Sequence, residues 1–277
     1  MPICAHYRAI VHDLVKSVSG QDLLLGERQA LIRARLDLSG RVIAAALAQE
    51  LGVSEDTIRR DLREMAASGL CRRVYGGALR IAAASTSMNE RMAVGGARKA
   101  ALARRAAGLI PPGATVFLDA GSTNLALARA LPAGHGLTVA TNAPAIAAAL
   151  LERDLATIQL GGLIDPRAGA AIGAKAMRDA EALRPDLLVL GVCGIDPEAG
   201  VTAESFEEAE FKRFVASRSR AVMVVVTNDK LSTAAPYSVV PLARLAQAVI
   251  EGDADETEAA ALTAAGIETL RADKVPA

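Results

Sequence analysis

Residues 47–78 read LAQELGVSEDTIRRDLREMAASGLCRRVYGGA. Ala48, Leu51 and Val53 are apolar on one side of Gly52, and Ile58, Leu62 and Met65 continue them at i, i+4 and i+7. The spacing predicts two short helices joined by a tight turn at Gly52. Ser54 stands at the N-cap of the second helix, where its oxygen accepts from first-turn N–H groups. With Ile58 and Leu62 inward, Asp56, Thr57, Arg60, Arg63 and Glu64 face outward and Arg59 lies on the flank. A helix-turn-helix with an arginine-bearing outer face fits a DNA major groove. Glu55–Arg59, Asp56–Arg60 and Arg60–Glu64 are also i, i+4 pairs, which leaves a salt-laced surface helix, or a protein-docking module, as the competing reading. The downstream run Leu70-Cys71-Arg72-Arg73-Val74-Tyr75, followed by Gly76 and Gly77, favours the groove. It reads as a basic strand and turn, a wing whose Arg72 and Arg73 reach phosphates beside the helix.

The block VSEDTIRRDL with RRVYGGA resembles the amino-terminal signature of DeoR-type bacterial transcriptional regulators, with Tyr75 where that family usually has histidine. The resemblance implies double-stranded operator DNA as a partner, contacted through Ser54, Thr57, Arg59, Arg60, Arg63, Arg72 and Arg73.

The chain has 277 residues, enough for two domains. At 52% hydrophobic and 22% charged residues it is globular rather than disordered; with 3% aromatics and no Trp, its core must come from Ala, Leu, Val and Ile. The net charge is zero, but residues 26–80 hold ten arginines against seven acidic residues. A local basic excess suffices for a phosphate footprint. Cys4, Cys71 and Cys193 are odd in number and far apart, which suggests a reducing cytoplasm and no structural zinc. No metal site is expected, His6 and His12 notwithstanding. No apolar run approaches the roughly 20 residues that span a bilayer, and charges break residues 1–25, so neither a membrane anchor nor a secretory signal is expected.

The expected organisation is an extension at 1–23 (an extra helix or an over-extended start), a helix-turn-helix domain at 24–80, a small polar linker at 81–96 and an α/β domain at 97–277. In the first domain, helices are expected at 26–38 and 44–51. In the last, apolar runs ending in Gly, Asp or Asn at 115–121, 137–142, 157–162, 186–194 and 221–228, then 246–253 and 267–272, alternate with helical segments at 97–110, 122–131, 143–151, 170–183 and 205–217. Runs apolar throughout belong to strands covered on both faces, so the expectation is a doubly wound, mainly parallel sheet.

Such sheets bind ligands beyond the carboxyl ends of their strands. Asp119-Ala120-Gly121-Ser122-Thr123-Asn124 leaves a strand and opens a helix, an arrangement suited to cradling a phosphate. Thr141 and Asn142 repeat the pattern at a second strand end, and Gly161 and Gly162 leave room at a third. Each taken alone is equally well a turn or a cap. No G-x-G-x-x-G follows the first strand, which disfavours a Rossmann dinucleotide fold, and no Gly-x-Ser-x-Gly or HExxH occurs.

The order K…DAGST…TN…GG…GxxGID…E…K is similar to the effector domain of DeoR regulators, itself similar in fold to ribose-5-phosphate isomerase. The resemblance implies a phosphorylated sugar or related effector. Lys99, Gly121, Ser122 and Thr123 fall at phosphate positions, and Asp119, Thr141, Asn142, Gly161 and Gly162 at sugar positions. Lys230 matches a lysine in the family's Asp-Ser-Ser-Lys turn, while Glu204, Glu208 and Lys212 lie where the isomerases keep their glutamate. Gly191-Val192-Cys193-Gly194 replaces the isomerase's Asp-Gly-Ala-Asp loop, Cys193 replaces the regulators' Asp, and Thr227 replaces the Asp before the lysine. Proton shuttling between sugar carbons needs positioned carboxyl groups. The expectation is therefore a homo-oligomeric repressor without catalytic residues or cofactor, with an isomerase-like enzyme fused to a DNA-binding module as the alternative.

Overall fold

The structure, a computed structural model, describes residues 23–81 and 87–275; the expectation for residues 1–22 lies outside these. The chain forms two compact units that divide after Ile81.

In the first unit, α1 (Leu25–Ser39), the short β1 (Arg41–Ile43), α2 (Ala44–Leu51) and α3 (Glu55–Ala67) precede a hairpin of β2 (Arg72–Val74) and β3 (Gly77–Ile81). Gly52, at φ 64°, ends α2 in the left-handed conformation that glycine adopts without strain. Ser54 caps α3 as expected, its Oγ accepting from Thr57 N at 3.1 Å. Ile58, Leu62 and Met65 are fully buried against Ile32, Leu36, Leu47 and Leu51. β3 pairs antiparallel with both β2 and β1, so the wing is welded to the helical core.

In the second unit, the expected linker is only partly a linker. Ser87 and Glu90 form a capping box, Glu90 N donating to Ser87 Oγ and Ser87 N to Glu90 Oε2, and open α4 (Met88–Ala93). Then come α5 (Gly96–Ala107), β4 (Thr115–Leu118), α6 (Ser122–Ala130), β5 (Thr138–Thr141), α7 (Pro144–Leu151) and β6 (Ala156–Gln159). A hairpin of β7 (Ile164–Asp165) and β8 (Ala170–Ala171) delays the next helix, expected from 170, to α8 (Ala174–Glu181). β9 (Leu187–Leu190), β10 (Gly194–Asp196), β11 (Gly200–Ala203), α9 (Phe206–Arg218), β12 (Ala221–Val226), β13 (Thr233–Ala234), β14 (Tyr237–Val240), β15 (Gln247–Ile250), α10 (Glu256–Ala264) and β16 (Glu268–Arg271) complete it.

Seven strands form one parallel sheet in the order β16-β15-β12-β9-β4-β5-β6. The chain starts at β4, winds outward to β6, then returns to β9 beside β4 and winds the other way. This is the strand order of doubly wound sheets, reached without the glycine fingerprint of dinucleotide binders. Alternate side chains serve opposite faces: Val116 and Leu118 join the core with Leu102, Leu125 and Leu127, while Phe117 packs beside Phe211 of α9 in the other. A small antiparallel sheet, β10-β11-β14, adds to the parallel one.

Candidate functional sites in the two units

On α3 the arginines expected at the groove are presented outward. Arg60 is 77% exposed, with only a 3.5 Å contact to Glu64, and Arg59 is held by Glu55 at 2.7 Å. Exposed one-turn pairs of this kind contribute about 0.3–0.5 kcal/mol, little to give up on meeting phosphates. Arg63 and Arg73 are exposed, Ser54 is exposed, Thr57 and Arg72 are half-buried, and Tyr75 stands 97% exposed at the wing tip. The Thr57 hydroxyl lies 2.8 Å from Ser54 Oγ. Asp61, in the same motif, faces inward instead: its carboxylate takes both donors of Arg28, one at 3.0 Å.

In the second unit a cavity of about 570 Å³ opens where β4 and β9 part, with walls from the carboxyl ends of β4, β9, β12 and β15 and from α4 and α5. That is the point where the strand order reverses, the place where open sheets leave a crevice. Asn124 holds it open from below, its Nδ2 donating to the carbonyls of Asp119 (2.8 Å) and Val189 (3.0 Å).

Of the residues expected at an effector, Lys99, Gly121, Ser122, Thr123, Glu204 and Lys230 line this cavity. Gly121, at φ 156° and ψ 146°, starts α6 without a side-chain cap, leaving first-turn N–H groups to a ligand. Lys99 donates to the carbonyls of Arg91 and Val94, and Lys230 to that of Val192 at 2.7 Å. Neither ammonium has an ion pair among the described residues. Partial burial lowers the pKa of both, and the like charge of Lys230 adds to the effect on Lys99. An anion between them would relieve both penalties.

Asp119 is buried just behind the wall. It accepts from Gly191 N at 2.9 Å and pairs with Lys212, which also donates to Gly191 O at 2.7 Å and meets Glu208 at 3.2 Å. Burial works against the Lys212 ammonium, but Asp119 and Glu208 outweigh it and hold the lysine charged, its pKa raised. Burial, then the charge of Glu208, push the Cys193 thiol up to about 11, so it is a neutral thiol facing the cavity.

Thr141, Asn142, Gly161 and Gly162 are not on the cavity wall. Thr141 Oγ1 accepts from Ala143 N at 3.1 Å, Asn142 Nδ2 donates to Ala171 O at 3.0 Å, and Gly161 N donates to Asp179 at 3.1 Å, with Gly162 beside Lys175. These groups shape helix and hairpin starts on the β5 and β6 side, away from the reversal. Arg91 and Arg98 on the wall were not legible as site residues, because they fall in or beside the expected linker. The Ser-x-x-Glu capping signature at Ser87 was the available signal.

Among the described residues no group of three His, Cys, Asp or Glu side chains is placed to hold a metal, and no helix is long and apolar enough to cross a membrane.

The family model for the DeoR-like helix-turn-helix domain matches residues 28–84, and that for the DeoR C-terminal sensor domain matches residues 96–252. The HTH-type transcriptional regulator GlpR of Haloferax volcanii is 30% identical, over 88% of this chain and 96% of its own. The glycerol-3-phosphate regulon repressor of Escherichia coli K12 is 35% identical over 69% of this chain and 77% of its own. Ribose 5-phosphate isomerase A from Neisseria gonorrhoeae superposes at a TM-score of 0.37 and 14% identity, over 49% of this chain and 53% of that one, too distant to bear on function. A match to both family models and to full-length regulators places this chain in the DeoR family of DNA-binding transcriptional regulators.

Proposed function

We propose that the protein is a cytoplasmic, homo-oligomeric repressor of a carbohydrate or related metabolic operon, released from its operator by a phosphorylated sugar or similar metabolite. In this reading α3 enters the major groove with Ser54, Thr57, Arg59, Arg60 and Arg63, and Arg72 and Arg73 of the wing bind phosphate. The effector's phosphate sits on Lys99, Lys230 and the start of α6 at Gly121, Ser122 and Thr123. Paired helix-turn-helix units are needed because operator half-sites lie about a helical turn apart. Release is linkage: a ligand that prefers one arrangement of the assembly weakens DNA binding by the same free energy with which DNA weakens it.

The observation that carries the effector reading is the pair of ammoniums, Lys99 and Lys230, resting on carbonyls only and facing one cavity with an uncapped helix start. Turnover is not supported. A Cβ at Gly191 would meet Ala120 O at 2.2 Å and one at Gly194 would meet Thr233 O at 2.5 Å, so this loop has no room for the isomerase's carboxylates. The test is a thermal-shift screen of phosphorylated sugars and their dephosphorylated counterparts. A phosphorylated compound should stabilise the chain, by about 2.7 kcal/mol at a hundredfold excess over Kd, and its dephosphorylated form should not. Stabilisation by neither would reject the reading.

A further inference from the structure

The charged groups on the cavity wall are equal in number, five cations and five acids, but they are not matched pair by pair. At one end, Asp119 and Glu208 share the single ammonium of Lys212. Glu204 lies next to them, half-buried on the cavity wall, with no hydrogen bond or ion pair among the described residues. Three carboxylates thus share one cation. At the other end Lys99 and Lys230 donate to carbonyls, and the charge of Asp229 on the same wall acts on both. The two ends belong to one space, since Lys99, Cys193, Glu204, Glu208, Lys212 and Lys230 all line the same cavity. Glu204 and Lys230 nevertheless do not pair with each other. Unpaired charges of both signs, kept apart inside one cavity, are costly until something bridges them.

We infer that the effector is zwitterionic, a phosphate monoester that also carries an ammonium group, with Glu204 as the residue that receives the ammonium. The inference rests on the phosphate reading above and adds the character of the ligand's other end. A hydroxyl would fill a lone pair of Glu204 and leave three carboxylates on one cation. An ammonium supplies the missing charge as well as the donors. The raised pKa of Glu204, caused by burial and then by Glu208, agrees with a carboxylate that lacks a counter-charge. An amino sugar phosphate or a smaller amino alcohol phosphate has this character, and a cavity of about 570 Å³ admits either.

Calorimetric titration of the full chain with matched pairs tests it: glucosamine 6-phosphate against glucose 6-phosphate, galactosamine 6-phosphate against galactose 6-phosphate, and serinol phosphate against glycerol 3-phosphate. In at least one pair the aminated member should bind about tenfold more tightly or better. In Glu204→Gln, an isosteric change at a half-exposed site, that ratio should fall to within about twofold. Equal binding within every pair, or a preference that survives Glu204→Gln, overturns the inference and leaves the phosphate site standing. Failure of all six compounds to bind, together with a thermal-shift screen in which no phosphorylated compound stabilises the chain, removes the phosphate reading and this inference with it.

Discussion

Arg28 of α1 grips Asp61 of α3 with two guanidinium donors on two carboxylate oxygens, and Asp61 is only 2% exposed. The pair fixes α3 to the helix that opens the unit. Its position on α3 decides which way the neighbouring arginines face: with Ile58, Asp61 and Leu62 inward, Arg59, Arg60 and Arg63 must be outward.

Removing one partner of a buried ion pair strands the other, at a cost of about 3–5 kcal/mol. Asp61→Ala should therefore destabilise the DNA-binding unit by that order, read as an earlier first transition in urea unfolding or as lost amide protection in α3. A shift below about 0.5 kcal/mol, the range of ordinary surface changes, would show that the pair does not hold the helix.

Arg60 has no such structural role, being largely exposed. Arg60→Ala should leave the melting temperature near that of the parent and weaken operator binding by about 1–3 kcal/mol if the side chain reads a base, or lower the salt slope if it meets phosphate. Gel-shift titrations at two salt concentrations separate these cases; unchanged affinity and slope would favour a docking surface for protein.

Much of this arrangement was legible in the chain. The apolar spacing of Ile58, Leu62 and Met65 gave α3 and its outward face, and uninterrupted runs such as LLVL at 187–190 gave buried parallel strands. Asp61 was not legible as a core residue, because an acid on a helical wheel reads as outward until its partner, 33 positions away, is known. Strand ends at Gly121, Asn142 and Gly161 carry the same local signal of turn and cap. Only the first lies at the reversal of strand order, and that reversal depends on β4 pairing with β9, some seventy residues apart. Local sequence cannot tell which strand end opens a crevice.

Gly191 connects the ion-pair network to the cavity wall. A methyl group there would collide with Ala120 O, and the neighbouring Asp119 and Lys212 contacts leave it little room to yield. Gly191→Ala should destabilise the sensor unit by about 1–3 kcal/mol, seen as a lower second transition with DNA binding by the first unit retained. A neutral result would mean that the loop relaxes freely.

Lys99 bridges α4 and the cavity through the carbonyls of Arg91 and Val94. Lys99→Ala should abolish most of the stabilisation that a phosphorylated ligand confers in thermal shift, while its operator affinity without ligand stays within a few-fold of the parent. Full retention of the ligand shift would place the phosphate elsewhere.

The division between a gripping unit and a sensing unit is tested most directly by operator release. Fluorescence anisotropy of the full chain on its operator, with and without the phosphorylated compound selected by thermal shift, should show at least a tenfold loss of affinity on adding the compound. Lys230→Ala should bind the same DNA and lose that response. A compound that stabilises the protein yet leaves its grip on DNA unchanged, or a Lys230→Ala protein released as readily as the parent, would contradict the account.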